Sequence, residues 1–169
     1  STTTAVAGSD GSWSVPNPGL NNGDTVTAVA TDPAGNASTP ATAVVDAIAP
    51  IVTVIDQVTS DSTPVLTGTV DDPTAIVVVT VNGENYTATN NGNGTWIIED
   101  NVLSVLSDNI YTVKVTATDS ANNSNTSTGL LIIDSTAPSV IAITSISDDT
   151  GLSASDFITS DTSLTVNGT

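Results

Sequence analysis

Asp46, Asp71, Asp72 and Asp119, together with Asn123, are the residues of this chain best suited to chemistry, and that chemistry is binding of a hard cation. Carboxylate, amide and backbone carbonyl oxygens are the ligands preferred by Ca²⁺, which takes about six to eight of them. The chain has 18 acidic residues and a single basic one, Lys114, so carboxylates that converge find almost no protein cation to relieve them. Close like charges are costly to ionise together. His and Cys are both absent. Their absence removes the Ser-His and Cys-His nucleophile pairs and the usual zinc sites. Paired carboxylates of the glycosidase kind need a groove, which repeated loops seldom form, so the chain is expected not to be an enzyme. With a net charge of −17, it has nothing to neutralise phosphates, and nucleic acid is excluded as a partner. No apolar run approaches a membrane span and no signal peptide is seen, so membrane insertion is not expected.

The elements that position these residues recur. Ala30-Thr-Asp-Pro-Ala-Gly-Asn36 returns as Ala117-Thr-Asp-Ser-Ala-Asn-Asn123, 87 residues later. Asp46-Ala-Ile-Ala-Pro50 returns as Asp134-Ser-Thr-Ala-Pro138, 88 residues later, and Gly11-Ser-Trp13 returns as Gly94-Thr-Trp96, 83 residues later. A unit of about 85–90 residues has been copied head to tail, the signature of an array. Only 3% of the 169 residues are aromatic, yet the apolar residues are mostly Val, Ile and Ala in short alternating runs, which is a strand signal. With no Cys to staple them, such small units have a thin stability margin.

The spacing predicts one complete unit over residues 46–133. Strands are expected at residues 51–55, 65–70, 76–81, 84–89, 95–98 and 111–118, with a last one holding residues 129–133. Asn82-Gly83 reads as a two-residue hairpin that needs positive φ at both positions. Trp96, Leu66, Val81, Val113 and Val115 are expected in the core, and no helix longer than about ten residues is expected. Seven short strands in this length read as an all-β fold, an immunoglobulin-like or fibronectin III-like β-sandwich. Residues 1–45 match only the C-terminal half of such a repeat. Residues 134–169 match the N-terminal part of a longer one, with Asp161 and Gly168 aligned to Asp61 and Gly68 and about twelve extra residues around positions 147–158. The chain is therefore read as a window on a longer protein.

Topology then gathers the acidic residues at junctions between repeats. In the complete unit, Asp71, Asp72, Asp119 and Asn123 fall in loops at the end where the linker residue Asp46 arrives. Asp24 of the preceding repeat is expected to hang over them. The same logic pairs Asp108 with Asp134 at the next junction and turns Asp32 and Asn36 toward a preceding unit. Asp148, Asp149 and Asp156 are a separate candidate loop site. Neither the EF-hand loop nor the glycine-rich nonapeptide is present. Isolated acidic residues such as Asp10, Asp56 and Asp100 read as solubilising turn formers. Trp13 and Trp96 read as core, Lys114 as a solvent-facing strand residue, and the Asn-x-Ser/Thr sequons as chance in this composition.

The repeated phrases, with Ser147-Asp-Asp-Thr-Gly151 and Thr159-Ser-Asp161, resemble the bacterial Ig-like repeats of giant surface adhesins. These are biofilm-associated, type I-secreted proteins, some with RTX tails. Ile48 and Asn122 depart from the pattern, where that family favours Thr and Gly. The resemblance implies an extracellular, non-enzymatic spacer on a bacterial cell surface that binds calcium between adjacent repeats. The expected function is thus a structural stalk segment of a large adhesin, stiffened by Ca²⁺. Two alternatives remain open on the residues alone. One is an adhesion module contacting a glycan, a cell or another surface, with the Thr-rich stretch 112–118 as its candidate face. The other is a filament subunit whose half repeats are completed by neighbouring copies.

Overall fold

A computed structural model describes residues 2–16, 19–150 and 152–169. It divides into two compact units, one running through Asp134 and the other from Ser135 to Thr169. Among the described residues there is no helix, and all regular structure is β.

The first unit holds a complete two-layer sandwich. One layer has five strands in the order β3 (Gln57–Thr59), β10 (Ser124–Ile133), β9 (Asn109–Thr118), β5 (Ile76–Val81), β6 (Glu84–Thr87). The other has three, in the order β4 (Leu66–Thr69), β8 (Thr95–Ile98), β7 (Thr89–Asn90). Alternation explains the layering. On β9 the side chains of Val113, Val115 and Ala117 are buried and those of Thr112 and Lys114 are exposed, as the period of two requires. Trp96, Leu66, Val81, Val113 and Val115 all lie in the core. Asn82 and Gly83 have φ of 50° and 81°, so the β5–β6 hairpin is the tight turn that this dipeptide favours.

One expected strand divides between the layers, and another is followed by a short strand, not expected, in the opposite layer. Residues 51–55 lie against β4, where Thr53 N donates to Thr69 O at 2.9 Å and Ile55 N to Thr67 O at 3.0 Å. After Asp56 the chain crosses and becomes β3, which runs parallel to β10 with Leu131 opposite Gln57 and Ile133 opposite Thr59. The stretch 84–89 splits likewise at buried Ala88, with β6 in one layer and β7 in the other. A segment that switches layers closes the side of the sandwich.

Trp96 sits where the first of these crossings passes. Its side chain is 0% exposed and its indole Nε1 donates to Thr53 O at 2.8 Å. Gly68 makes room: a Cβ there would lie 2.0 Å from Thr53 O and 2.7 Å from the indole.

The rest of the first unit is sparser. β1 (Thr25–Ala28) and β2 (Ala41–Val44) form a two-stranded antiparallel sheet. Trp13, expected in a core, is 55% exposed. The reason is visible at Trp96, whose cover comes from Thr53 and Gly68 in opening strands that have no counterpart in residues 1–45. The second unit pairs β11 (Ile143–Ile146) with β12 (Val166–Gly168) through a bulge. Here Asp161 repeats the local role of Asp61: Ser163 N donates to Asp161 Oδ1 and Thr63 N to Asp61 Oδ1, both at 2.9 Å.

Replacing Trp96 by Ala is expected to destabilise the sandwich by about 3–5 kcal/mol. Gly68→Ala is expected to cost at least about 1–3 kcal/mol through overpacking against backbone. Denaturant unfolding measures both, and a neutral Gly68→Ala would refute the close approach.

Candidate metal site at the linker

The site grows from one repeated loop. Asp119 brackets the turn between β9 and β10. Its Oδ1 accepts from Ala121 N at 2.8 Å and Asn123 N at 2.9 Å, and its Oδ2 accepts from Asn123 Nδ2 at 2.8 Å. Asp32 and Asn36 build the same bracket, with Asn36 N and Nδ2 both donating to the Asp32 carboxylate at 2.8 Å. The residue before each Asn has positive φ, 92° at Gly35 and 68° at Asn122. Asn is one of the few non-glycine residues that tolerates that region, which accounts for Asn122 standing at a position where Gly would be favoured. The Asp-x-x-x-Asn phrase is therefore first a loop-closing device.

The two copies differ in what surrounds them. Asp119 is 8% exposed, whereas Asp32 is exposed. The linker lies against the second bracket, since Asn123 Nδ2 also donates to Asp46 O at 3.2 Å. Asp71 Oδ1 accepts from Ile51 N at 2.7 Å, and Asp72 Oδ1 accepts from Thr74 N at 2.7 Å and Thr74 Oγ1 at 2.8 Å. These bonds fix the linker and both neighbouring loops around an open pocket of about 300 Å³. Asp46, Asp71, Asp72 and Asp119 all line it, with Asn22, Ile48, Ala49 and Pro50.

Asn22 is the residue that sequence reasoning missed. Its Oδ1 accepts from Ala47 N at 2.8 Å, tying the preceding loop to the linker. Asp24 instead accepts from Asn21 N at 2.7 Å within its own turn and does not line the pocket. Register shows why. Thr25 pairs with Val44 and Asn109 with Ile133, so Asp24 occupies the ladder position of Asn109 and Gly23 that of Asp108. The ladder thus removes Asp24 from the place of Asp108, and Asn22 is found through its contact with the linker. Asp108 and Asp134 are the residues next to the Asn109–Ile133 pair at which this ladder ends.

The donor set is oxygen-only and suits a hard cation in kind. Among the described residues no three acidic side chains are close enough to form a ready metal-binding group. The pocket is thus an acidic cup, with its carboxylates anchored by one edge to backbone amides. In the second unit, Asp149 Oδ1 is buried without a hydrogen-bond partner, while its Oδ2 accepts from Phe157 N at 3.3 Å. Thr159 Oγ1 donates to Asp148 O at 2.7 Å and Ile158 N to Asp156 Oδ1 at 3.1 Å in the same loop. An orphaned carboxylate oxygen is what a cation would satisfy.

Hydrogen bonding from the Asn123 amide, the largest influence, holds the Asp119 carboxyl below its usual pKa, against desolvation that raises it. Asn36 does the same for Asp32, and the Ser163 amide for Asp161.

Residues 52–135 match the family described as bacterial Ig-like domain, so the complete sandwich falls in that class. Among solved structures, the chain is similar to a tetra-tandem repeat in the extending region of a large adhesion protein. That likeness is 33% identical, covers 86% of this chain and 40% of that one, and has a TM-score of 0.49. A Ca²⁺-stabilized adhesin that helps an Antarctic bacterium reach out and bind ice is 26% identical over 64% of this chain and 30% of that one, with a TM-score of 0.36. A Bacteroides ovatus protein of a mixed-linkage glucan utilization locus, in complex with a mixed-linkage heptasaccharide, is 17% identical over 78% of this chain and 34% of that one, with a TM-score of 0.36. The chain spans less than half the length of each. A search of curated proteins returned no match.

Because the Asp119 pKa is lowered on folding, its contribution to stability is present above the unfolded value of about 3.9 and is lost as pH falls through the folded value. Asp119→Asn is therefore expected to be less stable than wild type near neutrality, with the gap closing below about pH 4. Denaturant titrations across that range check it, and a gap independent of pH would show that the bracket does not depend on charge.

Proposed function

We propose that this chain is a stretch of an extracellular stalk on a bacterial surface, in which Ig-like units set a tip at a distance and Ca²⁺ stiffens the junctions between them. One observation carries the reading. The carboxylates of Asp46, Asp71, Asp72 and Asp119 share a pocket with Asn22, so ligands from a linker, from the loops of one repeat and from the preceding repeat meet in one place. A cation there would draw Asp71 and Asp72 toward Asp46 and fix the angle of the linker. Tandem copying of the linker phrase supports the mechanical half of the proposal, because an array extends a chain without needing a new fold.

The second half concerns the other sites. Asp108 and Asp134, next to the last pair of the β9–β10 ladder, are the candidate ligands for the next junction. Asp148, Asp149 and Asp156 offer a loop site in the longer unit, where the buried Asp149 oxygen lacks a partner. Asp32 and Asn36 repeat the bracket for a preceding linker. Partners on this reading are the adjacent repeats of the same chain.

Sites in extracellular modules bind calcium at roughly 10⁻⁴–10⁻³ M. At about 1 mM calcium, a site of about 10⁻⁴ M adds roughly 1.4 kcal/mol. A multi-unit array is thus expected to melt several degrees higher in calcium than in chelator, with magnesium a poor substitute. Small-angle scattering is expected to show the maximum dimension growing and its spread narrowing when calcium is added. An Asp46→Ala array should stay folded and respond less at that junction. Identical scattering and melting with calcium and with chelator would remove calcium from the proposal.

A further inference from the structure

Trp13 lacks the cover that its counterpart Trp96 has. In the complete sandwich, β4 lies beside β8, with Gly68 opposite Trp96 and Leu66 opposite Ile98. Thr53 O accepts from the indole at the place that Gly68 keeps clear. The phrase around Trp13 is the same, yet residues 12–16 belong to no strand. Trp13 stands beside an open concavity of about 500 Å³, with Val6, Val15 and Pro16 on its walls. An apolar face is thus left without a strand to cover it.

The second unit has the local features of such a cover. Gly168 aligns with Gly68 in sequence, and the hydrogen bonds keep the same alignment. Ala142 N donates to Thr169 O at 3.0 Å, as Thr53 N donates to Thr69 O at 2.9 Å. A Cβ on Gly168 would lie 2.8 Å from Ala142 O, as one on Gly68 would crowd Thr53 O. Gly68 also meets an indole, whereas only Ala142 lies within 4 Å of that point at Gly168, its chain neighbours apart. Thr165 and Thr169 bond to Ser147 and Ala142 across the β11–β12 pair. Alternation therefore turns the backbone groups of Val166 and Gly168 to the far edge of β12. No described strand pairs with that edge. Unpaired edges of this kind are templates for a strand from another chain.

We propose that the β12 edge of one copy of this chain seats on the Trp13 face of a second copy. The register follows from the β4–β8 pair: Gly168 opposite Trp13, Val166 opposite Val15, and Trp13 Nε1 donating to Ala142 O. The occupant is a second copy because the chain itself carries the missing strand, with the glycine that an indole needs at the matching position. The contact is head-to-tail, so each copy keeps one free half and copies add in series. The proposal goes beyond the stalk reading and does not rest on it, since strand addition needs no cation.

The test uses the full chain in chelator, which separates it from calcium stiffening. Light scattering is expected to give a mean mass that rises with concentration past that of a dimer, while Trp13 becomes shielded from acrylamide. Trp13→Ser and Val166→Pro are each expected to weaken association at least about tenfold. Val166→Pro removes an N–H that faces the free edge and leaves the Thr165 and Thr169 bonds in place. Val105→Ser, at an exposed position of the complete sandwich, controls for non-specific apolar association and should change nothing. The chain has no Cys, so an introduced disulfide reads the register. Thr67 pairs with Ile97, which makes Asn167 and Ser14 direct neighbours across the proposed ladder, close enough for a disulfide. Oxidising Ser14→Cys chains mixed with Asn167→Cys chains is expected to give mixed dimers in preference to like pairs. A chain that stays monomeric at every concentration, or mixed dimers no commoner than like pairs, overturns the proposal. So does a chain carrying both substitutions that closes its disulfide only within itself.

Discussion

The complete sandwich depends on one interlock. The opening segment passes over Trp96, accepts a hydrogen bond from its indole at Thr53 O, and can do so only because Gly68 has no side chain. This contact couples three elements that are distant in sequence. It seats the largest side chain of the core and orients residues 51–55 against β4. It also sets the point from which the chain crosses to join β10. Everything that matters at the two ends follows. The linker reaches Asp71 and Asp119 because residues 51–55 are held, and β3 lies beside β10 because the crossing comes at Asp56. Where the opening strands have no counterpart, as around Trp13, the same Gly-x-Trp phrase leaves its indole largely exposed.

The repeated Asp-x-x-x-Asn bracket shows how one sequence phrase can serve two environments. Its hydrogen bonds are the same at Asp32 and Asp119, within a tenth of an ångström. They are local, so they form wherever the loop forms. What differs is the neighbourhood. The linker lies on the second bracket through Asn123 and Asp46, and Asp119 becomes buried. The motif therefore supplies a rigid loop, and contact with a linker turns that loop into one wall of an acidic pocket.

Much of this was legible in the residues. Period-two alternation located β5, β8 and β9, and Asn82-Gly83 located the β5–β6 hairpin, because both signals are local. Convergence of Asp46, Asp71, Asp72 and Asp119 followed from strand order alone. What the sequence hid was non-local or depended on register. Layer switching at Asp56 and Ala88 leaves no mark in hydrophobic pattern, since a strand alternates in the same way whichever sheet it joins. Asn22 was missed because its contact with the linker, at Ala47 N 25 residues on, leaves no mark in the repeat pattern. Asp56 looked like a surface carboxylate because its partner, Leu130 N, is 74 residues away.

Charge makes the junction the sensitive part of this molecule. Eighteen acidic residues and one lysine give a large net charge, but at physiological salt the field of each exposed carboxylate fades over about 8 Å. Exposed carboxylates farther apart than that are screened from one another, and several, such as Asp32, Asp56 and Asp61, also accept hydrogen bonds that hold the fold. Four of the acidic side chains line the linker pocket together, with Asp119 buried and Asp72 half-buried there. Their backbone hydrogen bonds hold them in place without neutralising them, and Lys114 lies elsewhere, exposed on β9. A module with so little positive charge has no internal means of relieving that crowding. Its linker is held against this acidic loop cluster by hydrogen bonds, from Asn123 Nδ2 to Asp46 O at 3.2 Å and from Ile51 N to Asp71 Oδ1 at 2.7 Å, that leave the carboxylate charge in place.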